Sequence, residues 1–173
     1  MPKKTVTTSK SRGKDKFAEH RRWLAQAERA AARMVSAGGS PHPTVKVGAV
    51  LVDAKGRLIS MTANRFARGV DRRRPERYRD GYKSLWINCA EQLAIVAAAR
   101  KRANLKDATL YVTLEPCATC AGLIAEMHLK QVCVPVGAMR RYSKLKAKYK
   151  ASIEIGVIKL NEAGIPLVPV DMT

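Results

Sequence analysis

The chain has 173 residues, 46% of them hydrophobic, and its 33 lysines and arginines against 14 acidic residues give a formal net charge of +19. This length suits one domain with a substantial core, while the charge excludes an acidic protein and favours anionic partners such as nucleotides or nucleic acids. No apolar run reaches membrane-spanning length and no secretory segment is visible, so we predict a cytoplasmic location without membrane contact. The four cysteines then favour metal binding over disulfides.

The N-terminal region divides into a basic segment and a helix. Residues 1–16 are polar, with six lysines or arginines against Asp15, and predict a disordered basic tail. We expect residues 17–173 to form a single domain. Within it, residues 17–35 place apolar side chains at helical spacing and predict the first helix, which a Gly-Gly-Ser-Pro sequence ends.

A β-hairpin and a long loop follow this helix. Residues 45–52 and 58–63 are strand-like and flank Asp-Ala-Lys-Gly, which is typical of a hairpin turn. The loop over residues 64–87 then leads into the next helix. A loop of this length in a compact domain is more often functional than filler, so we expect it to lie at the active site.

Two short segments carry the residues with the strongest chemical meaning. Cys89 and Glu91 begin an alanine-rich apolar run that becomes basic in its last turn, which predicts a buried helix with Asn88 as its N-cap. Cys117 and Cys120 follow a strand-like segment and a proline, which predicts the first turn of a second helix. We therefore expect the positive N-terminal ends of two helices to meet at three thiolates.

The pattern Cys-x-Glu with Pro-Cys-x-x-Cys predicts a catalytic zinc site. Three thiolates, from Cys89, Cys117 and Cys120, leave the fourth position of a tetrahedral Zn²⁺ for water, and Glu91 is an unligated carboxylate beside it. The same arrangement is typical of zinc deaminases, including their three-cysteine variant.

A structural zinc site, closed by a fourth protein ligand, is the alternative. His128 lies eight positions beyond Cys120 on the same predicted helix, roughly 12 Å along its axis and too far to share the metal. His20 falls in the first helix, which leaves His42 and Cys133. We interpret Cys133, in a predicted strand, as a small core residue.

The C-terminal third predicts a strand, a helix and a strand. The first strand ends near Pro135, the helix covers residues 142–162, and the last strand covers residues 165–170. Because a helix joins these two strands, they should run parallel, whereas the hairpin is antiparallel. The predicted fold class is α/β, with helices on both faces of a mixed five-stranded sheet.

A resemblance covers about residues 40–170. Three stretches carry it, which are HPTVKVGAVLVD at 42–53, ANRFARGVD at 63–71 with PERYRD at 75–80, and CAEQLAIVAAAR at 89–100. The chain resembles the cytidine and deoxycytidylate deaminase superfamily, nearest its deoxycytidylate deaminase branch. This resemblance implies a three-layer α/β/α cytidine deaminase-like fold and a homo-oligomer. Cys89 stands where deoxycytidylate deaminases usually carry His, and TLEPCATCAG at 113–122 is more similar to tRNA adenosine and riboflavin-pathway deaminases.

The activity that the resemblance implies is zinc-dependent hydrolytic deamination of dCMP or a related cytosine nucleotide to the uracil form, with release of ammonia. Glu91 would move protons from water to the ring nitrogen and to the leaving ammonia. Asn64 is expected to contact the nucleotide and Arg68 its phosphate, while the Ala90 amide could hold a substrate carbonyl.

The basic residues of the chain are also compatible with other substrates. The loop alone carries enough of them to bind a phosphate or follow a nucleic-acid backbone, namely Arg65, Arg68, Arg72, Arg73, Arg74, Arg77, Arg79 and Lys83. A second basic run over residues 140–150 leaves a tRNA adenosine deaminase as an alternative, although few aromatics accompany it. A free-base deaminase acting on guanine or cytosine, and an inactive zinc module that binds RNA, are the remaining alternatives.

Overall fold

The computed structural model describes residues 16–79, 83–142 and 146–173, and it is built on a β-sheet. The strands of these residues are β1 (Gly48–Val52), β2 (Leu58–Ala63), β3 (Arg65–Phe66), β4 (Ile87–Asn88), β5 (Thr109–Val112), β6 (Gln131–Pro135) and β7 (Leu167–Val170). The helices are α1 (Lys16–Ala32), α2 (Lys83–Trp86), α3 (Ala90–Arg100), α4 (Ala118–Glu126), α5 (Ala138–Arg141) and α6 (Ala147–Glu162), with 3₁₀ turns at Val35–Ala37 and Pro75–Tyr78.

The main sheet has five strands in the order β2-β1-β5-β6-β7. Strand β1 is antiparallel to both neighbours, with Gly48 opposite Ala63 and Ala49 opposite Val112. Strands β5, β6 and β7 are parallel to one another, and α4 and α6 are the crossovers between them. The mixed five-stranded α/β sheet and its parallel final strands are therefore confirmed.

The two faces of the sheet bury different residues because side chains alternate along each strand. Every residue of β1 is buried. Val50 and Val52 pack in one cluster with Leu24 of α1, while Ala49 and Leu51 pack in the other with residues of α3, α4 and α6. Helices thus cover both faces, and the three-layer α/β/α architecture is confirmed.

Several predicted boundaries differ from the observed ones. The predicted tail ended at Lys16, but this residue already begins α1; residues 1–15 lie outside the described residues. Helix α1 ends at Ala32 rather than at residue 35, because the chain turns there and Gly38 adopts a left-handed φ of +87° that closes a 3₁₀ turn. The last helix begins at Ala147 rather than at residue 142, because its N-cap Lys146 has extended backbone angles.

The loop over residues 64–87 is tied together at its two ends. Strands β3 and β4 pair antiparallel, with Arg65 opposite Asn88 and Phe66 opposite Ile87. The chain therefore returns to its starting point immediately before α3. Within the described residues, no helix is long and apolar enough to cross a membrane.

Candidate metal centre and substrate cavity

Cys89 lies at the start of α3. The structure makes Cys89 itself the N-cap, with φ −64° and ψ 149°, so the prediction of Asn88 in that role is wrong. The physical reason is the pairing of Asn88 with Arg65, which keeps Asn88 extended and starts the helix one residue later. The Cys89 amide donates to Oε1 of Gln92 at 3.2 Å, which fixes this first turn.

Cys117 and Cys120 occupy the corresponding place on α4. Cys117 is the N-cap, with φ −69° and ψ 168°, and Cys120 is buried in the first turn. Helix α6 secures this turn from the side, because the Ala118 amide donates to Ser152 Oγ at 3.3 Å and Lys159 Nζ donates to the Ala118 carbonyl at 3.3 Å. Two helix N-termini therefore converge, as the sequence predicts.

The Sγ atoms of Cys89, Cys117 and Cys120 all lie within 4.8 Å of one another. A tetrahedral zinc with Zn–S bonds of about 2.3 Å holds its sulfur atoms roughly 3.8 Å apart. Small side-chain adjustments therefore allow the three thiolates to bind one Zn²⁺ and leave its fourth position open.

The three thiols share hydrogen bonds with one another, and this changes their pKa values. The pKa of Cys117 is lowered to about 2 because the thiols of Cys120 and Cys89 hydrogen-bond to its sulfur, and the backbone amides of Cys120 and Thr119 also donate to it. The pKa values of Cys89 and Cys120 are raised, mainly because their protons are held by Cys117. Of the three thiols, Cys117 is therefore the one that most readily becomes a thiolate, which is the form that binds a metal.

Neither of the two sequence alternatives for a fourth ligand joins the cysteine cluster. Cys133 is buried on the α1 face of the sheet, where its Sγ is 3.8 Å from His20 Nδ1. His42 does line the cavity described below, but its Nδ1 accepts the backbone amides of Thr44 at 3.2 Å and Val45 at 2.8 Å. Among the described residues, the group that can hold a metal contains three cysteines and no fourth ligand.

Glu91 is buried beside the cysteine cluster. It is the second residue of α3 and only 4% exposed. Burial raises its pKa to about 7, and the negative charge on Cys117 acts in the same direction. A carboxyl group of this kind can both accept and release a proton near neutral pH.

A cavity of about 140 Å³ opens above Glu91 and the cysteines. A cavity of roughly 150 Å³ is known to hold one benzene-sized ring, so this space fits a single six-membered ring. Its walls are mostly apolar, with a few polar groups. They are formed by His42, Thr44, Val45, Val47, Asn64, Ile87, Asn88, Cys89, Ala90, Glu91, Leu114, Glu115, Cys117, Lys146, Tyr149 and Ile153.

Asn64 and Ala90 lie in this cavity, as the sequence predicts for substrate contacts. The Asn64 side chain is 7% exposed and is oriented by two backbone bonds, from the Val47 amide to Oδ1 at 2.9 Å and from Nδ2 to the Val45 carbonyl at 3.0 Å. One N–H of its amide group is left for the cavity. Ala90 is the first residue of α3, so its N–H has no partner within the helix.

Arg68 is not brought to the cavity. It is exposed, and none of the described arginines between residues 65 and 79 lines the cavity wall. Some of them are held within the loop instead, since Arg73 Nε bonds to Asp71 at 3.1 Å and the Arg77 guanidinium lies 4.2 Å from the centre of the Trp86 ring. The loop lines the cavity at its two ends, through Asn64 and Ile87, and its described arginines do not line it.

Among the charged and histidine residues of the cavity, three have no role in the sequence-based site. The sequence offers Glu115 only as part of the run over residues 113–122, His42 only as a possible metal ligand, and Lys146 only as part of a basic run. Lys146 is exposed, so it lies at the rim, whereas Glu91 and Ala90 are buried at the floor. A charged residue two positions before Cys117 was the available indication for Glu115; nothing in the sequence indicates that Lys146 reaches the cavity.

A family model matches the part of the chain that contains this site. The family model described as the cytidine and deoxycytidylate deaminase zinc-binding region matches residues 18–136, which include the three cysteines and Glu91. The chain belongs to this family. Because members of this deaminase family bind zinc and the three thiols fit that ion, zinc is its cofactor.

Individual relatives agree on the family and differ in substrate. A probable deoxycytidylate deaminase from Caenorhabditis elegans is 34% identical over 96 residues, which are 54% of this chain and 48% of the nematode protein. A tRNA-specific adenosine deaminase from Rickettsia bellii (strain RML369-C) is 37% identical over 91 residues, which are 51% of this chain and 53% of that protein. The chain thus spans about half the length of these curated relatives.

A solved structure confirms the deaminase-like fold. The apo dCMP deaminase of the cyanophage S-TIM5 has a TM-score of 0.63 and 20% sequence identity, with 87% of this chain and 95% of that chain covered. At 20% identity this similarity shows the fold alone. The substrate has to be inferred from the chemistry of the site.

Proposed function

We propose that the chain is a zinc-dependent hydrolase that deaminates a nucleotide base, with dCMP or a related cytosine nucleotide as substrate. The observation that carries this proposal is the buried carboxyl of Glu91, next to three clustered thiols, at the floor of a cavity of one-ring size. A structural zinc site needs neither an unligated buried carboxyl nor a cavity above it.

Cys89, Cys117 and Cys120 are the proposed zinc ligands. Zinc bound there supplies the Lewis acidity that activates water. The helix N-termini of α3 and α4 add partial positive charge, which offsets part of the negative charge of three thiolates.

Glu91 is the proposed general acid and base. It accepts the first proton of the attacking water and delivers it to the ring nitrogen. It then accepts the second proton from the hydroxyl formed on the ring carbon and delivers it to the amine, which leaves as ammonia, so that both protons come from water. The Ala90 amide and the remaining N–H of Asn64 are proposed to hold the carbonyl oxygen of the pyrimidine, so that the amine-bearing carbon faces Glu91.

The cytosine assignment has two supports. The cavity fits one six-membered ring, and the nematode relative is a probable deoxycytidylate deaminase. A phosphate on the substrate would reach the rim, where we propose that the Lys146 ammonium meets it. Arg68 as a phosphate ligand stays a prediction, as do the single domain over residues 17–173, homo-oligomerisation and a cytoplasmic location.

A tRNA adenosine deaminase is the second candidate. The relative from Rickettsia bellii supports it, together with the net charge of +19. A nucleic-acid substrate would have to present a purine in the same cavity, with its backbone along the basic surface.

The experiment that tests the proposal is ammonia release from the zinc-loaded protein. The panel contains cytosine, adenine and guanine compounds, each as base, nucleoside and mononucleotide, together with tRNA, and the Glu91→Ala variant is the control. Turnover of cytosine mononucleotides that the variant lacks is the expected result. Turnover confined to tRNA would transfer the assignment to the second candidate, and turnover confined to free bases would contradict both.

A further inference from the structure

Strand β2 holds helix α3 through two hydroxyl groups. Thr62 Oγ1 donates to the Ala90 carbonyl at 2.8 Å, and Ser60 Oγ donates to the Ala94 carbonyl at 2.9 Å. Within an α-helix each carbonyl also accepts the amide four residues further on, and a carbonyl oxygen has two lone pairs. The hydroxyl bonds are therefore added to those of the helix without replacing them.

The spacing of the two bonds matches the geometry of the two elements. Residues two positions apart on a strand are separated by about 6.6 Å. Carbonyls four positions apart on a helix are separated by about 6 Å along its axis. Strand β2 and helix α3 thus lie side by side in register, with Thr62 at the start of the helix and Ser60 one turn further on. A shift of α3 along the strand would break both bonds.

A row of alanines makes this close contact possible. Ala90, Ala94 and Ala98 are fully buried and recur every four residues, so they lie on one face of α3. Their side chains end at Cβ, which allows the helix backbone to approach the short hydroxyl side chains of β2. At the other end of α3, Lys101 Nζ donates to the Ile59 carbonyl at 2.7 Å. The helix is thus attached to β2 from its first turn to its last.

The Thr62 bond lies where the position of α3 matters most for the proposed reaction. Ala90 stands between Cys89, a proposed zinc ligand, and Glu91, the proposed general acid and base. Asn64, which is proposed to hold the same substrate oxygen as the Ala90 amide, follows Thr62 by two positions. Thr62 therefore connects the two groups proposed to hold the pyrimidine carbonyl, and it fixes the residue that precedes Glu91.

We propose that Thr62 is a positioning residue for the deamination. Its hydroxyl holds the first turn of α3 at the place from which Glu91 moves protons, while Thr62 itself does not line the cavity. This inference rests on the proposed function, because it assigns Thr62 to the proton transfers of Glu91. An error of about 1 Å in the position of a reacting group can cost about 100-fold in rate, so one hydrogen bond at this place affects catalysis strongly.

Two substitutions of the same kind test this assignment. Thr62→Val and Ser60→Ala each remove one hydroxyl and its bond to a carbonyl of α3, but only Thr62 bonds to the residue next to Glu91. Thr62→Val should lower kcat by roughly 10- to 100-fold with zinc content unchanged. Ser60→Ala should keep kcat close to the wild-type value. Both should lower the melting temperature by about 2–4 °C, the shift expected for one lost hydrogen bond in a protein of this size.

Thr62→Ser is the conservative control. It keeps the hydroxyl and removes a methyl group, so it should keep most of the kcat that Thr62→Val loses. Thr62→Ala takes the place of Thr62→Val if the valine variant does not fold. Kinetics are measured on the compound that the wild type turns over fastest, together with the zinc content and thermal unfolding of every variant. The test of Thr62 is then independent of whether that compound is dCMP.

The outcomes distinguish this inference from the proposed function. Equal losses of kcat in Thr62→Val and Ser60→Ala, or a Thr62→Ser variant as slow as Thr62→Val, would overturn the positioning role. So would a wild-type kcat in Thr62→Val. Loss of zinc from Thr62→Val would also overturn it, because the slower reaction would then come from the metal centre. Absence of turnover of every compound by the zinc-bound wild type would contradict the proposed function, and the role of Thr62 with it.

Discussion

The chemistry of the site depends on single residues placed at helix N-termini. The second position of α3 buries Glu91 and raises its pKa to about 7, so the group is not fixed in one protonation state at neutral pH. One turn of helix thus holds a proposed zinc ligand and a proton carrier within two residues of each other. Because the two functions belong to separate side chains, removing the Glu91 carboxyl should impair proton transfer and leave the proposed zinc ligand Cys89 in place.

Glu91→Gln should lower kcat by about 10²- to 10⁴-fold, the usual contribution of a general acid or base. The amide fits the same buried space but cannot carry the protons. Steady-state kinetics on dCMP, with zinc content measured by metal analysis, checks this. Glu126→Gln, at the exposed end of α4, is the matched control and should keep wild-type kcat. Loss of zinc from Glu91→Gln would assign this residue to the metal instead.

Cys117→Ala should weaken zinc binding by at least about 100-fold, because removing a ligand costs more than the 10- to 100-fold typical of residues that support one. Cys133→Ala is the comparison, since its thiol is buried on the other face of the sheet. This variant should keep its zinc and lose about 1 kcal/mol of stability to the small cavity. Competition with a chelator measures the affinities, and equal zinc loss in both variants would contradict the assigned ligands.

Residue identities at the metal centre could be predicted from spacing alone. Cysteines three positions apart on a helical turn, and a glutamate two positions past another cysteine, restrict the possible geometry to a few ångströms. Lys146 could not be found in this way. It reaches the cavity because α6 packs against α4, and this contact joins segments about thirty residues apart in the sequence.

The packing of α6 against the start of α4 depends on a glycine in α6. Gly156 shares a buried stripe with Ile153 and Leu160, and a Cβ placed on it would collide with the carbonyl oxygen of Pro116. Helix α6 therefore approaches the start of α4 at backbone distance, immediately beside Cys117.

Gly156→Ala should destabilise the protein by about 1–3 kcal/mol, because the backbone of α4 must move to admit a methyl group. Gly122→Ala is the matched substitution in α4, where the nearest atom to the new Cβ is Lys159 Nζ at 3.8 Å. It should instead gain about 0.5–1 kcal/mol from helix propensity. Thermal unfolding of the two variants checks the signs, and a stabilised Gly156→Ala would contradict the close approach.

Some helices and strands were predicted more accurately than others, depending on whether residues nearby in the sequence determine them. The strand predicted over residues 58–63 matches β2, because alternation and a turn sequence both act over a few residues. The first residue of α3 was misplaced because Asn88 is a good N-cap by type, yet its backbone pairs with β3, twenty-three positions earlier. The preference of a residue for a helix cap is overridden wherever pairing with a distant strand competes with it.

The stability of the whole molecule should depend on pH through the contact between α1 and the sheet. Burial lowers the pKa of His20 from 6.5, and its Nδ1 lies 3.0 Å from the Tyr111 hydroxyl. The folded state therefore favours neutral His20, and protons bind more readily to the unfolded chain. This contribution is present above pH 6.5 and is lost as the pH falls below it.

We expect the melting temperature to fall between pH 7 and pH 5, and to fall less in His20→Asn, which cannot titrate. Thermal unfolding of both proteins across this range measures the difference. Parallel pH profiles would show that His20 contributes nothing to the acid sensitivity.

The net charge of +19 makes salt dependence a test of the substrate class. A mononucleotide makes about one phosphate contact, so its kcat/KM should change by no more than about 10-fold over a tenfold change in salt. A polynucleotide that contacts four or more phosphates would give a slope of about −3 in log activity against log salt. Kinetics on dCMP over this range therefore show whether the basic surface takes part in the reaction.

The close approach at Gly156 also forms part of the cavity wall. Because α6 lies at backbone distance from the start of α4, Tyr149 and Ile153 stand on the same packed pair of helices as Cys117. A displacement of α6 would therefore change the width of the cavity and the surroundings of a proposed zinc ligand at the same time.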